Sequence, residues 1–214
     1  MALKFRTLAV GPVACNCAIV LCDETRQAAI VDPGGHAELV LAEARSMDAE
    51  VKFILHTHGH FDHIMATAEV ASATAACVAI HEDDRALYDN LPRQARIFGF
   101  SAESPPAVDL VLTDGAKIEI GKLTATVVHT PGHTPGSVGF YFEAEGVLFA
   151  GDTLFAGSIG RTDLPGGSYP DIVKSIRNRL YSLPIATRVV PGHGQETTIG
   201  SERDQNPFVR AEVI

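Results

Sequence analysis

Two periodicities organise this chain. Short apolar runs bounded by turn residues recur from end to end, the signature of strands, and between them lie stretches with apolar residues three or four apart, the signature of helices. Residues 4–10, 17–22 and 27–31 read as three strands, the last closed by Asp32-Pro33-Gly34-Gly35, a strong turn signal. Residues 36–47 place Leu39, Val40, Ala44 and Met47 near helical spacing, and Phe53, Ile54 and Leu55 then form a buried strand. A small-residue helix is expected over 64–76, a short strand over 77–80, and partly helical structure over 82–98, interrupted at Pro92, before a loop at 101–106. Residues 117–120 and 123–128 predict a hairpin around Gly121-Lys122, and 138–142 and 147–150 a second around Glu145-Gly146. A helix over 169–182 carries Ile172, Ile176 and Leu180 on one side. A last strand at 188–190 leads into Pro191-Gly192-His193-Gly194, and a short helix precedes Asn206-Pro207.

Strands and helices mixed in two similar halves predict an α/β chain, with two sheets packed face to face and helices outside. No internal repeat, low-complexity tract or linker breaks the order, so residues 1–214 are expected to form one domain. A chain of this length buries about 70–75% of its unfolded surface and needs no crosslinks. Cys15, Cys17, Cys22 and Cys77 form no CxxC pair and read as small buried apolar residues in a reducing compartment.

The net charge of −9 argues against nucleic acid or an anionic membrane surface as partner, since either needs a basic face. No apolar run approaches the roughly 18 residues of a membrane span. The N-terminal residues lack an apolar core followed by a small-residue cleavage site, so a cytoplasmic location is expected. The sequence is silent on oligomeric state.

Candidate chemistry concentrates where strands end. After Leu55 the chain presents His58, His60, Asp62 and His63 within six residues. In an extended segment alternate side chains share a side, so His58, His60 and Asp62 align while His63 faces elsewhere unless the chain turns. Gly59 is expected to let the backbone bend between the first two histidines. His133 lies in Thr130-Pro131-Gly132-His133-Thr134-Pro135-Gly136, Asp152 follows Gly151, and His193 sits in the Pro/Gly loop after the last strand. Loops leaving one end of a sheet converge on one rim. Imidazoles and carboxylates without thiolate make the donor set of a catalytic zinc site. Seven donors exceed one tetrahedral ion and suit two that share a bridging carboxylate.

His58-Gly59-His60-Phe61-Asp62-His63 followed by His133, Asp152 and His193, with Asp32-Pro33-Gly34 before them, resembles the metallo-β-lactamase fold superfamily over nearly the whole length. Within it the chain is most similar to short glyoxalase II-like hydrolases, on Gly160-Arg161-Thr162-Asp163, Pro191-Gly192-His193-Gly194, Glu202-Arg203 and Asn206-Pro207-Phe208. The resemblance implies a four-layer αβ/βα sandwich. It implies one ion on His58, His60 and His133 and a second on Asp62, His63 and His193, with Asp152 bridging. Zn²⁺ is the expected metal, with Fe or Mn as alternatives. Glyoxalase II continues past Asn-Pro-Phe into a helical region carrying basic residues for glutathione, whereas only residues 209–214 follow here. A β-lactamase more often has Cys or Ser where Asp152 stands.

The expected reaction is hydrolysis of a small-molecule thioester such as a hydroxyacylglutathione. An ion brings water to a pKa of roughly 7, and a thiolate departs without an added proton. Asp62 and Asp152 are the carboxylates expected to take part in the chemistry, Asp62 being the visible candidate acid. Arg161, Tyr169 and Arg203 are candidate substrate-binding residues, with an Arg161–Asp163 ion pair as the structural alternative. Asp32 is expected either to orient the ligand loop or simply to close its turn. His56 and His129 are read mainly as strand ends, and His36 and His81 as surface residues at helix starts. A mononuclear Fe(II) persulfide dioxygenase on His58, His133 and Asp152 is the main rival, ahead of a vestigial binding module and of a nuclease, which the charge disfavours.

Overall fold

The structure, a computed structural model, describes residues 3–210. The first half runs β1 (Leu3–Val10), β2 (Cys15–Cys22), β3 (Gln27–Val31), α1 (Ala37–Ser46), β4 (Glu50–Leu55), α2 (Phe61–Ile64), α3 (Thr67–Thr74), β5 (Cys77–His81), α4 (Arg85–Asp89), α5 (Leu91–Ile97) and β6 (Leu110–Leu112). The second runs β7 (Lys117–Ile120), β8 (Leu123–His129), β9 (Val138–Phe142), β10 (Val147–Gly151), β11 (Leu154–Phe155), β12 (Ser158–Ile159), α6 (Tyr169–Ser175), β13 (Arg188–Pro191), β14 (Thr197–Thr198) and α7 (Ile199–Gln205).

β1 to β6 form one six-stranded sheet in sequence order, antiparallel as far as β3 and parallel beyond it. The other large sheet has the order β14-β13-β10-β9-β8-β7, with β10 and β13 parallel. β2 shows how the layers stack. Its odd positions Cys15, Cys17, Ile19 and Leu21 pack with Val40 and Ala44 of α1 and Val70 of α3. Its even positions Ala18, Val20 and Cys22 meet Ile120, Val127, Phe140 and Phe149 of the opposing sheet. Alternate side chains leave a strand on opposite faces, so burial on both faces requires an unbroken apolar run, which CAIVLC supplies. Beyond the second sheet, Val128, Tyr141 and Leu148 pack on Ile172, Ile176, Leu180 and Ile199. Four layers result, as the αβ/βα expectation holds.

Several boundaries differ from the reading of the pattern. Pro92 does not interrupt a helix but stands in the first turn of α5, where its missing N–H costs nothing, and the break falls at Asn90. Residues 82–84 form a single 3₁₀ turn before α4. β6, β11, β12 and β14, at two or three residues each, are too short to show a period. The helix expected over 169–182 is α6 continued by π-helical turns at Ile176–Leu180, which keep Ile172, Ile176 and Leu180 fully buried. Cys15, Cys17 and Cys22 are buried and unpaired, while Cys77 is half-exposed. Among the described residues no helix is long and apolar enough to cross a membrane.

β8, β10 and β13 point the same way, so the segments after them emerge on one edge of the second sheet. The loop after β4 meets them there, tied by the Val138 N–H donating to Thr57 O (2.8 Å). That rim is where the histidines gather.

Candidate metal centre

The chain turns immediately after His60. α2, a single helical turn, carries Asp62 and His63, so the alternating arrangement expected of an extended segment does not apply. The turn divides the motif into two groups, His58 and His60 joining His133, and Asp62 and His63 joining His193. Gly59 is needed for space rather than for bending. Its φ is not positive, and a Cβ there would stand 2.8 Å from Leu87 Cβ and 3.0 Å from the Asp84 carbonyl oxygen.

In the first group His133 Nε2 lies 2.8 Å from His60 Nδ1 and 3.2 Å from His58 Nε2. Strict acceptors behind the rings settle which nitrogens face inward. His133 Nδ1–H donates to the carbonyl of Arg161 (2.8 Å). Thr57 gives its hydroxyl proton to Asp32 Oδ2 (2.6 Å) and accepts from His58 Nδ1–H at 3.1 Å. Both Nε2 lone pairs therefore aim into the gap. Burial and the neighbouring imidazoles hold His58 well below its usual pKa and His60 down to about 3, so these rings are neutral donors near pH 7.

In the second group His63 Nε2 and His193 Nε2 are 3.3 Å apart, and Asp62 Oδ2 lies 3.2 Å from His193 Nε2 and 3.7 Å from His63 Nε2. Burial opposes a charge on His63, but Cys15, Asp152, Asp62 and Asp32 together push it well up. Burial likewise opposes, yet Asp62 and Asp152 push up, the proton affinity of His193.

Asp152 stands between the groups. Its Oδ1 is 3.4 Å from His63 Nε2, and its Oδ2 is 3.6 Å from His133 Nε2 and 3.7 Å from His193 Nε2. Burial alone would raise its pKa, yet His63, His133 and His193 hold the carboxyl well below the carboxylate range. Gly192 leaves it room, since a Cβ there would come within 2.1 Å of Asp152 Oδ1 and 2.7 Å of His63 Cε1.

These residues fit a pair of divalent ions. The Nε2 lone pairs of His58 and His133, 3.2 Å apart, repel unless a cation lies between them. Asp152 Oδ1 is buried without a hydrogen-bond partner among the described residues, a condition that costs free energy until a ligand relieves it. Donors on a tetrahedral ion with bonds of ~2.05 Å stand about 3.3 Å apart, close to most of these separations.

His60, Asp62, His133, Asp152 and His193 floor a cavity of about 260 Å³, whose walls add Val13, Phe61, Phe98, Arg161 and Leu164. Phe61 stacks on Phe98 with centroids 4.8 Å apart. Arg161 is bound bidentately to Asp163, at 2.8 Å and 2.7 Å.

Tyr169 and Arg203 do not line this cavity. Tyr169 opens α6, capped by Ser168, and is half-exposed because the buried side of that helix belongs to Ile172. Arg203 is on the solvent side of α7, which turns Ile199 and Glu202 inward. Glu202 instead accepts from Gly157 N–H, the Thr197 hydroxyl and Asn206 Nδ2, anchoring the β11–β12 hairpin. His56 is fully buried with Nε2 at 3.2 Å from Thr67 Oγ1. His129 donates to Pro135 O and stacks on His81 at 4.3 Å, their rings 8° apart, so the two rings cannot aim at one point despite neighbouring Asp83. His36 is exposed, its Nδ1 accepting from Gly11 N–H at 3.0 Å.

Three supports were missed in the sequence. Thr57 links Asp32 to His58. Asn16 Nδ2 donates to the carbonyls of Pro191 and Gly194, both at 2.9 Å, and so clamps the His193 loop. Asp84 bonds to both loops of the first group.

A profile of the Metallo-beta-lactamase superfamily matches residues 10–193. The hydroxyacylglutathione hydrolase GloC of Haemophilus influenzae is 38% identical over 203 residues, 92% of this chain and 93% of that protein. Among solved structures, BLEG-1 B3 metallo-beta-lactamase superposes with a TM-score of 0.91 at 39% identity, over 97% of this chain and all of that one. TTHA1623 in a di-iron-bound form gives 0.88 at 38%, over 95% and 99%. ETHE1 from Myxococcus xanthus gives 0.80 at 26%, over 96% and 84%.

Proposed function

The chain belongs to the metallo-β-lactamase superfamily, and from that premise we propose that it is a glyoxalase II-like thioester hydrolase working with two divalent metal ions, Zn²⁺ first. The observation that carries this reading is the placement of Asp152 between two three-donor groups on the floor of one cavity. His58, His60 and His133 would hold one ion, Asp62, His63 and His193 the other, and Asp152 both.

Bound there, such ions supply Lewis acidity toward a carbonyl oxygen and an acidified water as nucleophile. The protein's own part is orientation. Asp32 and Thr57 lock two imidazoles in one tautomer each, and the Arg161 carbonyl locks a third. Val13, Phe61, Phe98 and Leu164 give the cavity an apolar wall beside the donors. Asp62 is the acidic side chain in position to take or return a proton, and its low pKa suits a leaving group that departs unprotonated. A thiolate is such a group, whereas an amine leaving from an amide is not.

Metal quantification combined with a substrate panel tests the proposal. Two ions per chain and turnover of S-lactoylglutathione or a CoA thioester are expected. Absence of turnover on every thioester, or turnover confined to a β-lactam as the BLEG-1 likeness would suggest, overturns it. The ETHE1 likeness supports a second reading, a mononuclear Fe(II) persulfide dioxygenase on His58, His133 and Asp152. One iron per chain with oxygen uptake on glutathione persulfide would favour it.

A further inference from the structure

Asp84 ends the 3₁₀ turn Glu82–Asp84 after β5 and is fully buried. Its Oδ2 accepts from Gly59 N–H and from the Thr134 hydroxyl, and its Oδ1 accepts from Gly136 N–H, each at 2.7 Å. Gly59 lies between His58 and His60. Thr134 and Gly136 belong to the loop that presents His133. One carboxylate therefore joins the two segments that carry all three imidazoles of the first group. Packing around it is tight, since a Cβ on Gly136 would stand 2.8 Å from Asp84 Cγ. Its carboxylate oxygens are engaged by these three donors.

The bonding needs a carboxylate. Two N–H groups and one O–H require three acceptor sites distributed over both oxygens. A carboxylate offers four, whereas an amide would turn an NH₂ toward one of the donors. The second group has separate anchors, Asp32 on His63 (3.0 Å) and Asn16 on the loop of His193. Asp32 also reaches His58 of the first group through Thr57, whereas the bonds of Asp84 go to the first group's loops alone.

We propose that Asp84 is a positioning residue for the first ion: it fixes the spacing of the 58–60 and 130–136 loops at which His58, His60 and His133 converge, and so sets the affinity of that group without setting that of the other. The inference rests on the reading that both groups hold divalent ions, and its test does not use turnover.

Each group is isolated first. His193→Ala leaves the first group intact, and His133→Ala leaves the second. Zn²⁺ affinity of the metal-stripped chain is then measured by chelator competition with and without Asp84→Asn. The expected result is a loss of about 10–100-fold in the His193→Ala background, the usual cost of removing a support behind metal ligands, and less than about 3-fold in the His133→Ala background. Thr134→Val, which removes one of the three bonds, should show a smaller loss in the same background and guards against an Asp84→Asn chain that fails to fold. Equal losses in both backgrounds, or none in the first, overturn the role of Asp84. A wild-type chain that binds no Zn²⁺ at all overturns the two-ion reading as well.

Discussion

Asp32 Oδ2 lies 3.0 Å from His63 Nδ1, and the ring proton between them turns His63 Nε2 toward Asp62 and Asp152. Asp32 is 2% exposed and holds a left-handed backbone conformation, φ 51°, one that Asp tolerates better than most residues. It is thus both a turn residue and a support of the ligand loop, the two roles the sequence left open. Asp32→Ala should lower affinity for the second ion by about 10–100-fold. Stepwise Zn²⁺ titration of the metal-stripped chain checks this, and an unchanged second step would reduce Asp32 to a turn residue.

Gly192→Ala should remove the second ion by steric means alone. The added carbon has to displace Asp152 Oδ1 from 2.1 Å and His63 Cε1 from 2.7 Å, and neither can retreat, because Asp152 is wedged among three imidazoles and His63 is tethered to Asp32. Metal content should fall from two ions toward one per chain, with a fold that is retained by circular dichroism. Two tightly held ions in this variant would contradict the packing.

Much of this centre could be read from the sequence because its donors follow strands that the apolar pattern reveals. Leu55 precedes the first histidines, Ala150 precedes Asp152, and Val190 precedes His193. What escaped has short-range causes. α2 spans four residues, too few to show a helical period, so the pattern leaves open whether the chain turns before His63. Asp84 sits in Glu82-Asp83-Asp84, a run that looks like a solvated face; only the fold turns its last member inward. Tyr169 and Arg203 lie on helices that commit their inner faces to Ile172 and Glu202, which no local pattern around the two residues reveals.

The metal-stripped chain should lose stability as pH falls from 6.5 toward 4. Burial lowers the pKa of His56 to about 4, so in that window the unfolded chain binds a proton that the folded chain refuses. Stability from this residue is complete above 6.5 and declines as the pH drops, on the order of 3 kcal/mol in total. His58 and His60, held low by the same burial, act in the same direction, while His63 and His193, raised by carboxylates, act against it. Urea unfolding at pH 7, 6 and 5 should show the fall, and His56→Gln should flatten it. An equally steep fall in that variant would remove His56 from the account.

Arg161 reaches the cavity already neutralised. Two of its donors are committed to Asp163, and the pair is largely exposed. It is the basic side chain on the wall, so the cavity offers an anionic thiol carrier little unspent positive charge beyond the metal centre. Arg161→Ala should therefore leave KM for a neutral thioester nearly unchanged. Asp163→Asn should free the guanidinium and lower KM for S-lactoylglutathione, which carries carboxylates. Exposed ion pairs are worth about 0.2–1 kcal/mol, so the gain should be about 1.5- to 5-fold and should shrink as salt is raised. If Arg161→Ala instead raises KM for S-lactoylglutathione more than tenfold, with Asp163→Asn neutral, the guanidinium must leave Asp163 to grip the substrate, and the pair is the resting form of an anchor.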